Sequence, residues 1–338
     1  MIRRLAVTTL ALLLLLAGID WLAGALLARS PDWRHGADPR QRILSDHPNQ
    51  GSTVVLIGDS VFYSTFIDRE DQALWRQLEV RLGTRVMPAA LNGASPSDML
   101  AIARRVARLW PAKTIALVGI QPVRLFGPNH PEIVPGGVYA QRFRRLGDGE
   151  APHAGDWRIA LDERLAAAVE QRSFLLRNRE AILLFVESRL KRAQRQVVEQ
   201  QHDAVWTSDD GSGLARWRNL EGMLARGGGE REVPFSWVTG MNEALRASGI
   251  RPLFVLTPLN LEMLRRYGRL EVPSERMLAE SHDYLVRQLE ARGYEFIDLQ
   301  SGLPSDCFAD AVHPNVKGNV RIADAIASWL AARPRMER

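Results

Sequence analysis

The chain has 338 residues, with 44 Lys and Arg against 39 Asp and Glu, 46% hydrophobic residues and a single cysteine. The apolar content and the near-balanced charge exclude an extended disordered chain. The length suits roughly one or two domains with a sizeable core. A single cysteine excludes an intrachain disulfide and a cysteine-rich zinc site. The small basic excess is a weak indicator of nucleic-acid binding, because arginine also covers ordinary protein surfaces.

Residues 5–27 form an apolar stretch in which Asp20 is the single charged residue. As a helix this stretch would be about 34 Å long at ~1.5 Å per residue, which is enough to cross a bilayer. Arg3 and Arg4 precede it, so the positive-inside rule predicts a cytoplasmic N-terminus. We expect a single-pass anchor over residues 1–28 in the inner membrane, with the remaining chain in the periplasm. Asp20 is expected near the outer end, where a carboxylate can reach the headgroups.

A cleaved signal peptide is the alternative, because Ala23-Gly24-Ala25 has the small-x-small form of a cleavage site. The apolar stretch continues past this site, which favours an uncleaved anchor. Both interpretations export the main domain, so nucleic acid is not an expected partner. A lone cysteine agrees with an exported domain that avoids disulfides.

After a polar stretch over residues 29–52, which is predicted to be a linker, the chain alternates between strand and helix patterns. Short β-branched runs are typical of buried parallel strands, and their alternation with helices predicts a parallel sheet covered on both faces. The predicted strands are 53–57, 85–91, 114–120, 252–257 and 295–299, and the predicted helices are 96–110, 236–247, 274–291 (with Ser274 as its N-cap) and 315–332. Residues 127–233 lack this rhythm and are predicted to be a partly helical insertion within one domain, 53–335.

The sequence Gly58-Asp59-Ser60 directly follows the first predicted strand. Sites in parallel α/β sheets form at the carboxyl ends of the strands. A serine that leads into a helix has its backbone N–H near a positive helix end, so Ser60 could be both nucleophile and oxyanion donor. Alone, this sequence is more often a turn and a helix cap.

The second candidate is Asp310-Ala311-Val312-His313-Pro314 near the C-terminus. A serine nucleophile needs a base, which is usually histidine, and a carboxylate three residues earlier can orient that imidazole. Alone, this segment is also more often a surface turn. Its place at the far end of the same α/β pattern as Ser60 favours a shared site.

Together the two segments carry a resemblance to a known family. Residues 54–60 (VVLIGDS) resemble the first block of the SGNH/GDSL hydrolase superfamily, and Asp310-x-x-His313-Pro314 resembles its last block. The resemblance covers about residues 53–125 and 250–332. It implies a three-layer, flavodoxin-like α/β fold with Ser60 as the acyl-accepting nucleophile, His313 as the base and Asp310 as its orienting partner.

The middle blocks supply the expected oxyanion hole. The resemblance implies that Gly93, in the sequence Asn-Gly-Ala-Ser, donates its N–H beside the N–H of Ser60. The third block normally reads Gly-x-Asn-Asp, whereas here it reads Gly-Ile-Gln-Pro over residues 119–122. Gln121 carries the same amide group on a longer stem and is the third expected donor. This departure argues against an ordinary SGNH esterase.

The layout is more similar to one branch of the superfamily, the D-alanyl transfer proteins of lipoteichoic acid synthesis. These have one N-terminal anchor, an extracytoplasmic SGNH-like domain and a Pro-x-Asn segment, which Pro258-Leu259-Asn260 resembles. The resemblance implies O-acyl transfer from an acyl donor to a cell-envelope polymer or glycan, together with a membrane-bound O-acyltransferase. Two alternatives remain open: an esterase with the same triad, and a non-catalytic scaffold for an envelope acyltransferase.

Several other residues are expected to lie outside the chemistry. Asp59 is expected to be a structural hydrogen-bonding residue, and Cys307 a buried, inert thiol. No cofactor and no metal are expected, because four histidines lack the spacing of metal ligands: His130, His153, His202 and His282.

Overall fold

The computed structural model describes residues 2–29, 39–44, 51–67, 69–121, 232–266 and 272–333, together with residues 139, 143, 148, 169 and 172–176. The strands are β1 (Val54–Ile57), β2 (Val86–Pro88), β3 (Ile115–Ile120), β4 (Arg251–Leu256) and β5 (Phe296–Asp298). The helices are α1 (Ile2–Arg29), α2 (Ser60–Tyr63), α3 (Leu74–Leu82), α4 (Pro96–Leu109), α5 (Glu232–Ala247), α6 (Leu261–Arg266), α7 (Val272–Ala291) and α8 (Val316–Ala332).

All five strands belong to one parallel sheet in the order β2-β1-β3-β4-β5. The predicted parallel α/β sheet is therefore confirmed, and its strand order is that of flavodoxin-like folds. The order reverses between β1 and β3, and such a switch point opens a crevice at the carboxyl edge of the sheet. Residues that follow β1 and β3 therefore lie beside this crevice.

The core lies in two layers, one on each face of the sheet. Successive side chains of a strand point to opposite faces. Accordingly, Val55 and Ile57 pack with α4, α5 and α7, whereas Val54 and Leu56 pack with α3 and α8. All four side chains of β1 are buried. Helices on both faces of a fully apolar strand give three layers.

All five predicted strands are confirmed: four are shorter than predicted, and the fourth, β4, keeps its length but begins one residue earlier. One predicted helix cap is wrong. Helix α7 begins at Val272, so Ser274 lies within its first turn and is not the N-cap. Pro273 is tolerated at this position because the first N–H groups of a helix have no partner inside the helix. The cap of α8 is Asn315, whose side-chain oxygen accepts the N–H of Gly318 at 3.1 Å.

The predicted linker, 29–52, contains a segment that belongs to the core. Residues Pro39–Leu44 form a 3₁₀ turn in which Ile43 and Leu44 are buried among the side chains that cover one face of the sheet. The carbonyl of Ile43 accepts a hydrogen bond from Arg105 Nε at 2.8 Å. The two apolar residues were not recognised in the sequence because most other residues of this stretch are polar.

Helix α1 contains the predicted apolar stretch. Within the described ranges, no helix combines the length and the apolarity that crossing a membrane requires, so the predicted transmembrane helix is not supported. The Asp20 carboxylate accepts hydrogen bonds from Ser173 Oγ at 2.7 Å and from the N–H groups of Phe174 and Leu175 at 2.8 Å each. Asp20 therefore has hydrogen-bond partners within the chain, and its expected position near lipid headgroups stays a prediction.

The predicted insertion, 127–233, lies mostly outside the described residues, but its Asp148 is described and buried. One Asp148 oxygen accepts a hydrogen bond from Arg105 Nη1 at 2.8 Å, and Arg108 contacts both oxygens at 2.7 and 2.9 Å. The side chain of Arg105 is only 2% exposed. A buried guanidinium without a charged partner is costly, so this pair ties the insertion to α4.

We predict that Asp148→Asn destabilises the protein by about 3–5 kcal/mol, because it removes the carboxylate charge that pairs with the buried Arg105 guanidinium. The matched control is Asp324→Asn, which removes the acidic partner of Arg81 at a site where the aspartate side chain is 59% exposed. That change should cost at most about 1 kcal/mol, as exposed pairs do. The free energy of unfolding in urea measures both, and equal losses in the two variants would contradict the assignment.

Candidate active site

Ser60 follows β1 at the switch point of the sheet and is the first residue of α2. Asp59 caps this single turn by accepting the N–H of Val61 at 3.0 Å, the structural role expected for it. Ser60 is only 4% exposed. Its N–H belongs to the first turn of α2, where backbone N–H groups have no partner within the helix.

The turn that carries Ser60 is held by Phe62, which lies against two glycines. A Cβ atom at Gly58 would lie 2.9 Å from the Phe62 side chain, and one at Gly119 would lie 2.8 Å from it. Both positions therefore need glycine, because no larger residue leaves room for this ring. Phe62 thus fixes α2 against the ends of β1 and β3.

His313 lies in a narrow loop, residues 307–315, which we call the histidine loop. The Ala309 N–H donates to the carbonyl of His313 at 2.8 Å, and the Asn315 N–H donates to the carbonyl of Cys307 at 2.9 Å. The loop packs closely on α8: a Cβ atom at Gly318 would lie 2.2 Å from the carbonyl oxygen of Cys307. The absence of a side chain at Gly318 therefore sets where the loop meets the helix.

Ser60, His313 and Asp310 form one hydrogen-bonded chain. His313 Nε2 lies 2.9 Å from Ser60 Oγ, and His313 Nδ1 lies 2.9 and 2.8 Å from the two oxygens of Asp310. Asp310 is 6% exposed and also accepts the N–H groups of Val312 and His313, at 2.9 and 2.7 Å. The structure therefore brings together the three residues that were predicted from the two sequence blocks.

The pKa of the Asp310 carboxyl lies below its ordinary value of 3.8. Burial by itself would raise this pKa. The hydrogen bond and the charge of His313, together with the two backbone N–H groups, lower the pKa by more than burial raises it. Asp310 thus stays ionised at neutral pH and accepts a hydrogen bond from the Nδ1–H group of His313. This holds Nε2 as the acceptor that faces the serine hydroxyl.

Phe66 is a site residue that the sequence did not reveal. Its ring meets the His313 ring edge-on, with centroids 5.0 Å apart and an interplanar angle of 80°. The side chain of Phe66 is 37% exposed, so it offers an apolar surface beside the histidine. A lone aromatic residue six positions after the serine gives no signal in one sequence.

Gly93 lies in a tight turn beside the serine. The chain continues past β2 along β1, where the Leu91 N–H donates to the Gly58 carbonyl at 3.0 Å, and the Ala94 N–H then donates to the Leu91 carbonyl at 3.1 Å. Gly93 has φ +76°, and a Cβ built there meets no atom of the described residues within 4 Å.

Thr65 connects this turn to the serine turn. Its hydroxyl lies 3.0 Å from the carbonyl oxygen of Ser60 and 3.3 Å from Oδ1 of Asn92. The two segments that hold Ser60 and Gly93 are therefore joined directly as well as through the sheet.

Gln121 directly follows β3 and is 6% exposed. Its Nε2 has no hydrogen-bond partner among the described residues. A buried amide donor without a partner is costly, which favours a role in contacting a bound group. Because β1 and β3 are neighbours, Gln121 lies on the same edge of the sheet as Ser60.

The remaining polar candidates lie outside this chain of contacts. Cys307 is fully buried, and burial raises the pKa of its thiol, so it remains protonated. His282 Nε2 lies 2.8 Å from Asp298 Oδ2, and this hydrogen bond raises the pKa of His282. The described residues include no group of His, Cys, Asp or Glu that could hold a metal ion. Of the four histidines considered above, three lie outside the described residues: His130, His153 and His202.

Comparison with known proteins gives fold likenesses at low identity. No protein-family model and no curated protein matches the chain. A "putative acylhydrolase" from Bacteroides fragilis is 12% identical with a TM-score of 0.42, over 85% of this chain and 90% of that one. A "putative arylesterase" from Agrobacterium tumefaciens is 15% identical with a TM-score of 0.34, over 82% and 98%. Both scores are below 0.5, so neither likeness carries a conclusion about the function of this chain.

We predict that Gly318→Ala displaces the histidine loop, because the new methyl group would overlap the Cys307 carbonyl. Overpacking of this kind costs about 1–3 kcal/mol and should also separate His313 from Ser60. The control is Gly302→Ala, where the nearest atom to an added Cβ is 3.6 Å away. Thermal unfolding and Ser60 labelling by a fluorophosphonate measure both effects. Wild-type behaviour of Gly318→Ala would contradict the packing argument.

Proposed function

We propose that this chain is a serine-dependent acyl-transfer enzyme of the SGNH/GDSL type, which passes an acyl group through Ser60 to an acceptor hydroxyl. The observation that carries the proposal is the hydrogen-bonded chain from Asp310 through His313 to Ser60. Such a chain activates a hydroxyl that is a weak nucleophile on its own. Its residues also match the first and last sequence blocks of that superfamily.

In the first half-reaction Ser60 Oγ bonds to the acyl carbon while its proton moves to His313 Nε2. The carbonyl π pair moves onto oxygen and gives a tetrahedral oxyanion, and Asp310 stabilises the imidazolium. The oxyanion then collapses, the bond to the leaving group breaks, and the leaving group takes the proton from His313. The product is an ester of Ser60 with neutral histidine.

The oxyanion is stabilised by three donors at the carboxyl edge of the sheet. These are the N–H groups of Ser60 and Gly93 and the side-chain amide of Gln121. Each such donor contributes on the order of 3 kcal/mol to the transition state. The unpartnered Nε2 of Gln121 supports its place in this set.

In the second half-reaction an acceptor hydroxyl gives its proton to His313 and attacks the acyl carbon. The bond to Ser60 Oγ then breaks, and His313 returns the proton to Ser60 Oγ, which leaves the free serine and a neutral histidine. We propose a cell-envelope glycan or polymer as the acceptor, with a membrane-bound O-acyltransferase as the partner that supplies the acyl group. Support comes from the Gln-Pro third block and from residues 258–260, both of which resemble the D-alanyl transfer branch. Water as the acceptor would make the same site an esterase.

The proposal also places the protein on the inner membrane, with its α/β domain in the periplasm. Support comes from Arg3 and Arg4 before an apolar stretch, which is the charge pattern of an N-terminal anchor. On α1, Leu14 and Trp21 are 65% and 74% exposed, so these side chains lack apolar cover within the described chain. An exported site would have direct access to envelope polymers.

We predict that Ser60→Ala lowers kcat for p-nitrophenyl acetate by at least about 10³-fold, and that Asp310→Asn lowers it by about 10⁴-fold, because the amide favours the wrong histidine tautomer. The matched controls are Ser301→Ala and Asp306→Asn, which alter exposed residues that precede the histidine loop in the chain. Both controls should keep wild-type rates in the full-length protein.

Adding a soluble sugar to the same assay separates transfer from hydrolysis. Acetylated sugar formed at the expense of free acetate supports the transferase, whereas free acetate alone supports the esterase. A wild-type protein that neither releases p-nitrophenol nor becomes acetylated would contradict both and favour the scaffold.

A further inference from the structure

We propose that Tyr139, from the predicted insertion, is a positioning residue that holds the Gly93 N–H toward the oxyanion. This inference rests on the proposed function, since it concerns the same acyl-transfer site. Tyr139 lies outside all the sequence blocks that resemble the superfamily, and it would act on the oxyanion hole through Gly93.

The turn over residues 91–94 has two accessible forms. Gly93 is its third residue and has φ +76°, whereas Asn92 is not among the residues with positive φ. With the hydrogen bond from the Ala94 N–H to the Leu91 carbonyl, this is a type II turn. A type I turn differs mainly by a rotation of the central peptide, and glycine at the third position tolerates both forms.

The rotation of that peptide decides where the Gly93 N–H points. The Asn92 carbonyl and the Gly93 N–H belong to one planar peptide unit, which places them on opposite sides of the chain. Whatever fixes the carbonyl therefore fixes the N–H. A flip to the type I form would turn the N–H away from its present direction.

Tyr139 fixes this carbonyl. Its hydroxyl donates to the Asn92 carbonyl oxygen at 2.9 Å. A peptide flip would break this hydrogen bond, so Tyr139 favours the type II form. Thr65 contacts the side chain of Asn92, not its peptide, and so does not replace this restraint.

Tyr139 is itself held by buried groups. Its N–H donates to Oδ1 of Asp98 at 3.1 Å, and the other oxygen of Asp98 accepts the N–H of Ser95 at 3.0 Å. Asp98 is completely buried. The tyrosine is thus anchored to the start of α4, which directly follows the Gly93 turn.

Hydrogen bonds also connect Tyr139 with two further described residues, Phe143 and Asp148. The Tyr139 carbonyl accepts the N–H of Phe143 at 3.0 Å, and the Phe143 carbonyl accepts the N–H of Asp148 at 2.8 Å. Phe143 is fully buried, and Asp148 pairs with Arg105. These three described residues of the predicted insertion therefore connect the core to the turn over residues 91–94.

The test compares Tyr139→Phe with Tyr294→Phe in the full-length protein. Both remove one hydroxyl, but Tyr294 stacks on Phe235 and Phe254 before the start of β5, at the opposite edge of the sheet from Ser60. The readouts are kcat and KM for p-nitrophenyl acetate, inhibition by phenylboronic acid, and the unfolding midpoint. The boronate forms a tetrahedral adduct with Ser60 and so reports on the oxyanion hole. Rates are normalised to the fraction of Ser60 that a fluorophosphonate labels.

For Tyr139→Phe we expect kcat to fall by a factor of about 10 or more. This loss should be smaller than the ~10²–10³-fold loss of kcat that follows removal of a whole oxyanion donor. KM should stay within about twofold, and boronate affinity should fall by the same factor as kcat. Tyr294→Phe should match the wild type. Equal kcat and boronate affinity in Tyr139→Phe and the wild type would overturn the inference, as would a rise in KM that accounts for the whole loss. A wild-type protein that neither turns over the ester nor binds the boronate would instead overturn the proposed function.

Discussion

The hydrogen bond between Ser60 Oγ and His313 Nε2 joins two loops that lie 253 residues apart in the chain. Neither loop determines this contact by itself. Ser60 is held by the Phe62 ring, which fits only because residues 58 and 119 are glycines, and His313 is held by the close contact of Gly318 with the Cys307 carbonyl. Three positions without side chains thus set the separation of the serine and the histidine. The parallel sheet supplies the frame, since the crevice between β1 and β3 is where both loops meet.

The same edge of the sheet carries the charged and polar groups that the proposed acyl transfer requires. Asp310 is buried yet ionised, because His313 and two backbone N–H groups stabilise its charge. At the same edge of the sheet, Gln121 has a buried amide donor without a partner among the described residues. An acceptor carboxylate on one side and unfilled donors on the other suit a reaction in which a proton leaves the serine and negative charge develops on an acyl oxygen.

Local sequence patterns predicted much of this arrangement. The strands were predictable because β-branched runs and their bounding glycines are local, and Ser60, His313 and Asp310 were predictable because each loop carries a short motif. Tyr139 and Asp148 were not, because their partners lie 47 and 43 residues away. The buried position of Ile43 was not predictable, because this residue lies in a stretch of mostly polar residues. The hydrogen bonds of Asp20 were not predictable either, because its partners lie about 150 residues later in the chain. The predicted Ser274 cap was wrong because the helix begins two residues earlier, at Val272, with Pro273 in its first turn.

The central claim is that Ser60 forms a covalent acyl intermediate, and mass spectrometry of the intact protein after brief exposure to p-nitrophenyl acetate tests it most directly. The account predicts one added acetyl group, which peptide mapping places on Ser60 and which Ser60→Ala and His313→Ala both lack while remaining folded. An acetyl group on another residue, such as Cys307, or an equal yield in Ser60→Ala would contradict it.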